Sequence, residues 1–298
     1  MRYILLVYIV IQSLCTHAQI VRGGSNSPGF KMLEERPLLV VLTEDEEYNT
    51  ALKSAFTNYW DYSKTIFIES GDIKKYDTRK EYNCYLSDAI EIEPVYKSQN
   101  KTLHQYYKVT TSGVILAFES ISMIQSTNFA IIVPNNCGSP LLYKNPVYQI
   151  ARLNYLIGGC NSTLQYIKKY NVKGVTTSSG DNILKEMSDV TAKKIRNKTL
   201  LVLEDMLQPA AEGTGAYISK EVLATYPYEY KIVSLDAFVK ISNANDPDYC
   251  WLDMVVDQRK TFFIYDVASK NLLYGKMAAN FDQELQKKDI EDIVDAIN

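Results

Sequence analysis

Pro37-Leu38-Leu39-Val40-Val41-Leu42 and, in the second half of the chain, Thr199-Leu200-Leu201-Val202-Leu203 are apolar runs without a single charge. Short charge-free runs of this kind read as strands, and strands followed by helical patterns suggest parallel βαβ pairing early in each unit, in two or three layers. After the first run, Tyr48, Ala51, Leu52, Ala55, Phe56 and Tyr59 recur at helical spacing and make one apolar face. Ile66-Phe67-Ile68 reads as a second strand, residues 71–75 as a short helical turn and residues 82–86 as a third strand. Residues 113–118 and 129–133 add two more.

The second run opens the same order again. Ser219 is a good N-cap, with Glu221 in the first turn of the helix that follows. Tyr230-Lys231-Ile232-Val233 matches the second strand, and residues 236–250 echo residues 72–84. In both copies a cysteine precedes an aromatic-Leu pair: Cys84 with Tyr85-Leu86, and Cys250 with Trp251-Leu252. Residues 261–265 and 272–274 flank the turn Ala268-Ser269-Lys270-Asn271, and an amphipathic helix closes the chain on Leu285, Ile290, Ile293, Val294 and Ile297.

Helical signals lie between the copies. Asn145-Pro146 starts a helix by N-cap and N1 proline, and Val147, Ile150, Ala151 and Leu153 follow before Gly158-Gly159 breaks it. Residues 164–170 form another segment, and Ser178-Ser179-Gly180-Asp181 caps a helix through Ile183, Met187 and Val190 to Arg196. The expectation is an α/β fold: a tandem duplication of two β-α-β-α-β-β-type units, 37–143 and 197–298, joined by a helical connector at 144–196. A flexible segment at 19–36 precedes them.

The chain has 298 residues, 46% hydrophobic and 22% charged, with 13 Gly and 9 Pro, which excludes disordered and collagen-like classes. A net charge of −3 argues against a nucleic-acid partner. Residues 1–18 read as a signal peptide: Arg2, an apolar run from Ile4 to Leu14, and small residues Thr16 and Ala18 that place cleavage before Gln19. Leu14 before Cys15 does not fit a lipid-anchor site. With no later apolar run of spanning length, the chain is expected to be exported, periplasmic or secreted, without an integral membrane span.

Candidate chemistry is sparse. Beyond the leader His104 is the only histidine, with no acid or nucleophile motif beside it. Glu212-Gly213-Thr214-Gly215 lacks the rest of a phosphate-binding motif and reads as a surface loop. Glu44 and Asp45 after the first strand, and Glu204 and Asp205 at the matching place, form a carboxylate candidate for acid/base or metal chemistry. The competing account is that they complement helix dipoles. Cys137 and Cys160 sit beside glycines in loop-like contexts and are a candidate disulfide, whereas Cys84 and Cys250 read as buried thiols. No Cys/His spacing suggests zinc, and no catalytic residue, metal or cofactor is assigned. Of the Asn-x-Ser/Thr triplets at Asn100, Asn161 and Asn197, the last borders a buried strand. Tyrosine is the anomaly, at 23 residues. Tyr106, Tyr107, Tyr226, Tyr228 and Tyr230 are the candidate partner surface, since tyrosine gives large amphipathic contact area at low entropic cost.

The signal ending His17-Ala18-Gln19, Tyr59-Trp60 ahead of residues 64–68, and Asn197-Lys198-Thr199-Leu200-Leu201-Val202 resemble a family of uncharacterised secreted Bacteroidetes proteins. The last hairpin, Phe263-Ile264-Tyr265-Asp266 to Leu272-Leu273-Tyr274, is similar to the closing strands of TolB amino-terminal and curli-secretion-type envelope domains. These resemblances imply compartment and architecture, and a role in contacting other envelope proteins, but no site residue. The functional expectation is a non-enzymatic envelope protein that binds another envelope protein or a surface polymer. Its alternatives are a small-ligand binder with a pocket between the two units, and a carboxylate- or metal-dependent hydrolase.

Overall fold

A computed structural model describes residues 34–76, 81–86, 113–117, 130–134, 145–170, 180–207, 217–256, 260–277 and 284–298. The expected leader, residues 19–33, Asn100, His104, Tyr106, Tyr107, Cys137, Ser178-Ser179 and the loop around Gly213 lie outside them. Among the described residues the fold is α/β, with two five-stranded sheets. The first takes β1 (Leu38–Leu42), β2 (Thr65–Glu69), β3 (Asn83–Leu86), β4 (Gly113–Ala117) and β5 (Ala130–Pro134) in the order β2-β1-β3-β4-β5. The second takes β6 (Thr199–Leu203), β7 (Tyr230–Val233), β8 (Tyr249–Val256), β9 (Lys260–Asp266) and β10 (Leu272–Met277) in the order β7-β6-β8-β9-β10.

Strand directions agree as well. In each sheet the first strand pairs in parallel with the second and the third, and the last two strands add antiparallel. The register matches down to the residue: Leu39 stands opposite Cys84, and Leu200 opposite Cys250. The central runs are apolar because both faces are covered. Leu38, Val40 and Leu42 join the main core, while Leu39 and Val41 pack with Ile68 on the other face.

Helix α1 (Glu46–Tyr59) begins at Asp45, whose carboxylate accepts from the Tyr48 amide at 3.0 Å, and it buries Leu52, Ala55 and Phe56. Helix α2 (Pro146–Tyr170) is held at its start by Asn145, whose side chain accepts from the Val147 amide. It runs unbroken through Gly158-Gly159, contrary to the expected break. The reason is close approach. A Cβ on Gly158 would lie 2.6 Å from the Lys270 carbonyl oxygen, and one on Gly159 would lie 2.7 Å from the Tyr265 ring. The two glycines form a notch that lets the helix backbone sit on the β9–β10 turn. Cys160 follows within the helix as a free, buried thiol, so the expected bridge to Cys137 is not formed at this residue. Burial pushes that thiol up to about 12.

One stripe of α2 faces the second sheet at helical spacing: Tyr148, Arg152, Tyr155, Gly159 and Ser162. Arg152 and Asp253, at 2% and 0% exposure, pair through Nε to Oδ2 at 2.8 Å, and the Tyr148 hydroxyl donates to Oδ1 at 3.0 Å. Tyr155 packs on Trp251, Tyr265 and Phe238, the last from α5 (Leu235–Asn243). A second stripe faces the first unit, where Asn161 accepts from the Asp61 and Tyr62 amides, and Asn161 and Gln165 donate to Asp61. The Asn161 triplet is thereby spent on packing.

Lys270, in the left-handed region at φ 60°, turns its ammonium inward. There it donates to the Ser242 carbonyl at 2.7 Å, near the C-terminal end of α5, and to the Val267 carbonyl at 2.5 Å, with the Tyr155 ring 4.6 Å away. Helix α3 (Gly180–Thr191) covers the outer edge of β10. The Ser188 hydroxyl accepts from the Gly275 amide at 3.1 Å, and the Thr191 hydroxyl donates to the Leu273 carbonyl at 2.6 Å. Two further helices complete the second unit: α4 (Lys220–Leu223), capped by Ser219, and α6 (Lys287–Ile297), which buries Ile290, Ile293 and Ile297. Among the described residues no helix is long and apolar enough to cross a membrane.

Candidate functional site

The edge strand β10 forms the floor of a groove of about 550 Å³, walled by α3 on one side and α6 on the other. Leu184, Lys185, Ser188 and Asp189 come from α3, Tyr274, Gly275 and Lys276 from β10, and Asp292, Asp295 and Ala296 from α6. Local rules place each group. The apolar stripe of α6 turns Ile290, Ile293 and Ile297 into the core, so Asp292 and Asp295 fall at its rim. On β10, period-two alternation keeps Tyr274 and Lys276 together.

Lys276 forms ion pairs with Asp292 and, at 3.6 Å, with Asp289; Lys288 reaches Asp292 at 2.7 Å. Burial works to raise the Asp292 carboxyl, but the bonds from Lys276 and Lys288 outweigh it and hold the group below its ordinary value. The Tyr274 ring is 5% exposed and stacks on Phe262 at 6.0 Å. Burial, then the carboxylates of Asp292, Asp289, Asp189 and Asp295, push its phenol well above the ordinary value. Acids on both sides of the groove therefore act on this one hydroxyl.

The residues singled out from sequence fall elsewhere. Tyr226 is buried at 3% exposure and packs edge-on against Tyr228 at 5.6 Å, which corrects its assignment to a partner surface. The cause is that its ring belongs to the main hydrophobic core. Tyr228 and Tyr230 are half-buried against the same core, and the Tyr228 hydroxyl donates to Asn298 at 2.8 Å. Glu44 and Asp45 are exposed, and Asp45 is engaged as the α1 cap. Glu204 is exposed and Asp205 half-buried in a short 3₁₀ turn after β6. None of these residues lines the groove. Among the described residues no three His, Cys, Asp or Glu stand close enough to hold a metal ion.

Tyr274, Asp189, Lys276, Asp292 and Asp295 were missed. A signal existed: Asp289, Asp292 and Asp295 recur every third residue along a helix whose other face is isoleucine. Comparison with protein families, with curated proteins and with solved structures found no match to this chain.

Proposed function

We propose that this is an exported, non-enzymatic binding protein of the cell envelope, built by tandem duplication of one α/β unit and holding its ligand in the groove beside β10. The shared strand order, directions and Leu-Cys register of the two sheets support the duplication. The leader-like start and the resemblance to secreted and envelope proteins support the compartment.

The observation that carries the binding reading is the groove itself, of a size typical of small-molecule sites and lined by Lys185, Ser188, Asp189, Lys276, Asp292 and Asp295 beside Tyr274. It lies between the connector helix α3 and the second unit, not between the two units, and its form favours a small ligand over a tyrosine-rich docking face. A protein or surface polymer as partner remains the competing reading.

The test is to load the chain beginning at Gln19 from an envelope extract and identify what stays bound by native mass spectrometry, beside Tyr274→Phe. A small molecule retained by the wild type and lost by the variant is the expected result. A protein or polysaccharide captured equally by both would overturn the groove as the binding site.

A further inference from the structure

A phenol surrounded by carboxylates ordinarily donates to one of them. Tyr274 does not: among the described residues its hydroxyl has no hydrogen-bond partner, although the residue is 5% exposed and lines the groove. Asp189, Asp292 and Asp295 line the same groove. Lys276 shows what the acids of α6 take up, since its ammonium pairs with Asp289 and Asp292, while Lys185 is the other cation lining the groove. Asp189 on α3 and Asp295 on α6 have no ion-pair partner among the described residues. They face the same space from opposite walls.

We propose that the groove binds a small organic ammonium ion, a primary amine whose N–H groups reach Asp189, Asp295 and the Tyr274 oxygen. This rests on the groove being the binding site. An organic cation is favoured over a bare metal ion, because among the described residues no three His, Cys, Asp or Glu stand close enough to hold one. The volume of about 550 Å³ suits an amine of several carbons, whose chain lies along Leu184, Ala296 and the Tyr274 ring.

Calorimetric titration of the chain beginning at Gln19 with 1,4-diaminobutane and n-butylamine tests this, with n-butanol as the uncharged match and calcium and manganese as metal probes. Saturable amine binding is expected, with n-butanol and both metals silent. Raising the salt from low to high concentration weakens the binding, since the attraction is between partly exposed charges. Asp189→Asn, Asp295→Asn and Tyr274→Phe each weaken it fivefold or more while circular dichroism is unchanged, and Glu44→Gln leaves it as it was. Equal binding of n-butanol, tighter binding of a metal, or full retention in the three variants overturns the assignment. If the amines are silent but the native ligand is still lost by Tyr274→Phe, the ammonium assignment fails and the groove stands. If Tyr274→Phe keeps that ligand, both fail.

Discussion

Arg152 is a cation buried at 2% exposure. Paired with Asp253 in a site closed to water, it holds α2 on β8. Asp253→Leu removes the buried counter-charge of the Arg152 guanidinium and is expected to lower stability by about 3–5 kcal/mol in urea denaturation, whereas Arg152→Met with Asp253→Leu recovers most of that loss. A double variant no better than the single one would show that the pair is not the coupled unit. Gly158→Ala ought to help a helix by about 1 kcal/mol on propensity alone. Here its Cβ would meet the Lys270 backbone, so a net loss of about 1–3 kcal/mol is expected, read as a fall in thermal midpoint. Lys270 gives a pH signature. Burial lowers its amine from the ordinary 10.5 to about 8, with Asp266 acting the other way. Between those values the unfolded chain holds the proton that the folded chain has lost, so stability rises with pH across that interval. The urea midpoint of the wild type should therefore gain on that of Lys270→Met between pH 7.5 and 9.5; parallel profiles would refute the assignment. None of these three roles was legible locally. Nothing local marks Arg152 or Lys270 as buried, and Gly158 reads as a breaker, because their partners lie on distant segments of chain.

At the scale of elements the sequence was far more readable. The α1 face, the Ser219 cap, the Asn145-Pro146 start and both central strands follow from periodicity and capping chemistry, which act over a few residues. What escaped is how elements finish one another. The outward amide of Gly275 and carbonyl of Leu273 are met by hydroxyls of α3, which makes β10 a closed edge. Ser188 and Thr191 look like ordinary helix polar residues until that edge is placed beside them. Replacing them together, Ser188→Ala with Thr191→Val, leaves these groups unmet and is expected to remove about 1–3 kcal/mol. It should also produce concentration-dependent association in sedimentation velocity, as an uncovered strand recruits another; a strictly monomeric double variant would show that α3 covers the edge by bulk alone. The groove went unread for a similar reason, since its two walls are about a hundred residues apart in sequence and only the sheet brings them together.

For the molecule as a whole, α2 belongs to both halves. One stripe serves the first unit through Asp61 and the other serves the second through Trp251, Tyr265 and Asp253. A fragment of residues 197–298 therefore lacks the cover of an aromatic face and is expected to bind hydrophobic dye without a sharp melt. A fragment of residues 145–298, which restores α2 and α3, should melt cooperatively. Equal behaviour of the two fragments would mean that the second sheet needs no help from the connector. The same shared helix also orders events in time. A chain made or threaded from its N-terminus presents Arg152 long before Asp253, 101 residues later, has emerged. Until then α2 can complete only its first-unit contacts, and the ion pair waits for the eighth strand. Docking of the second sheet is thus the late, non-local step of folding, and the half-built chain carries an open aromatic seam for as long as that step takes.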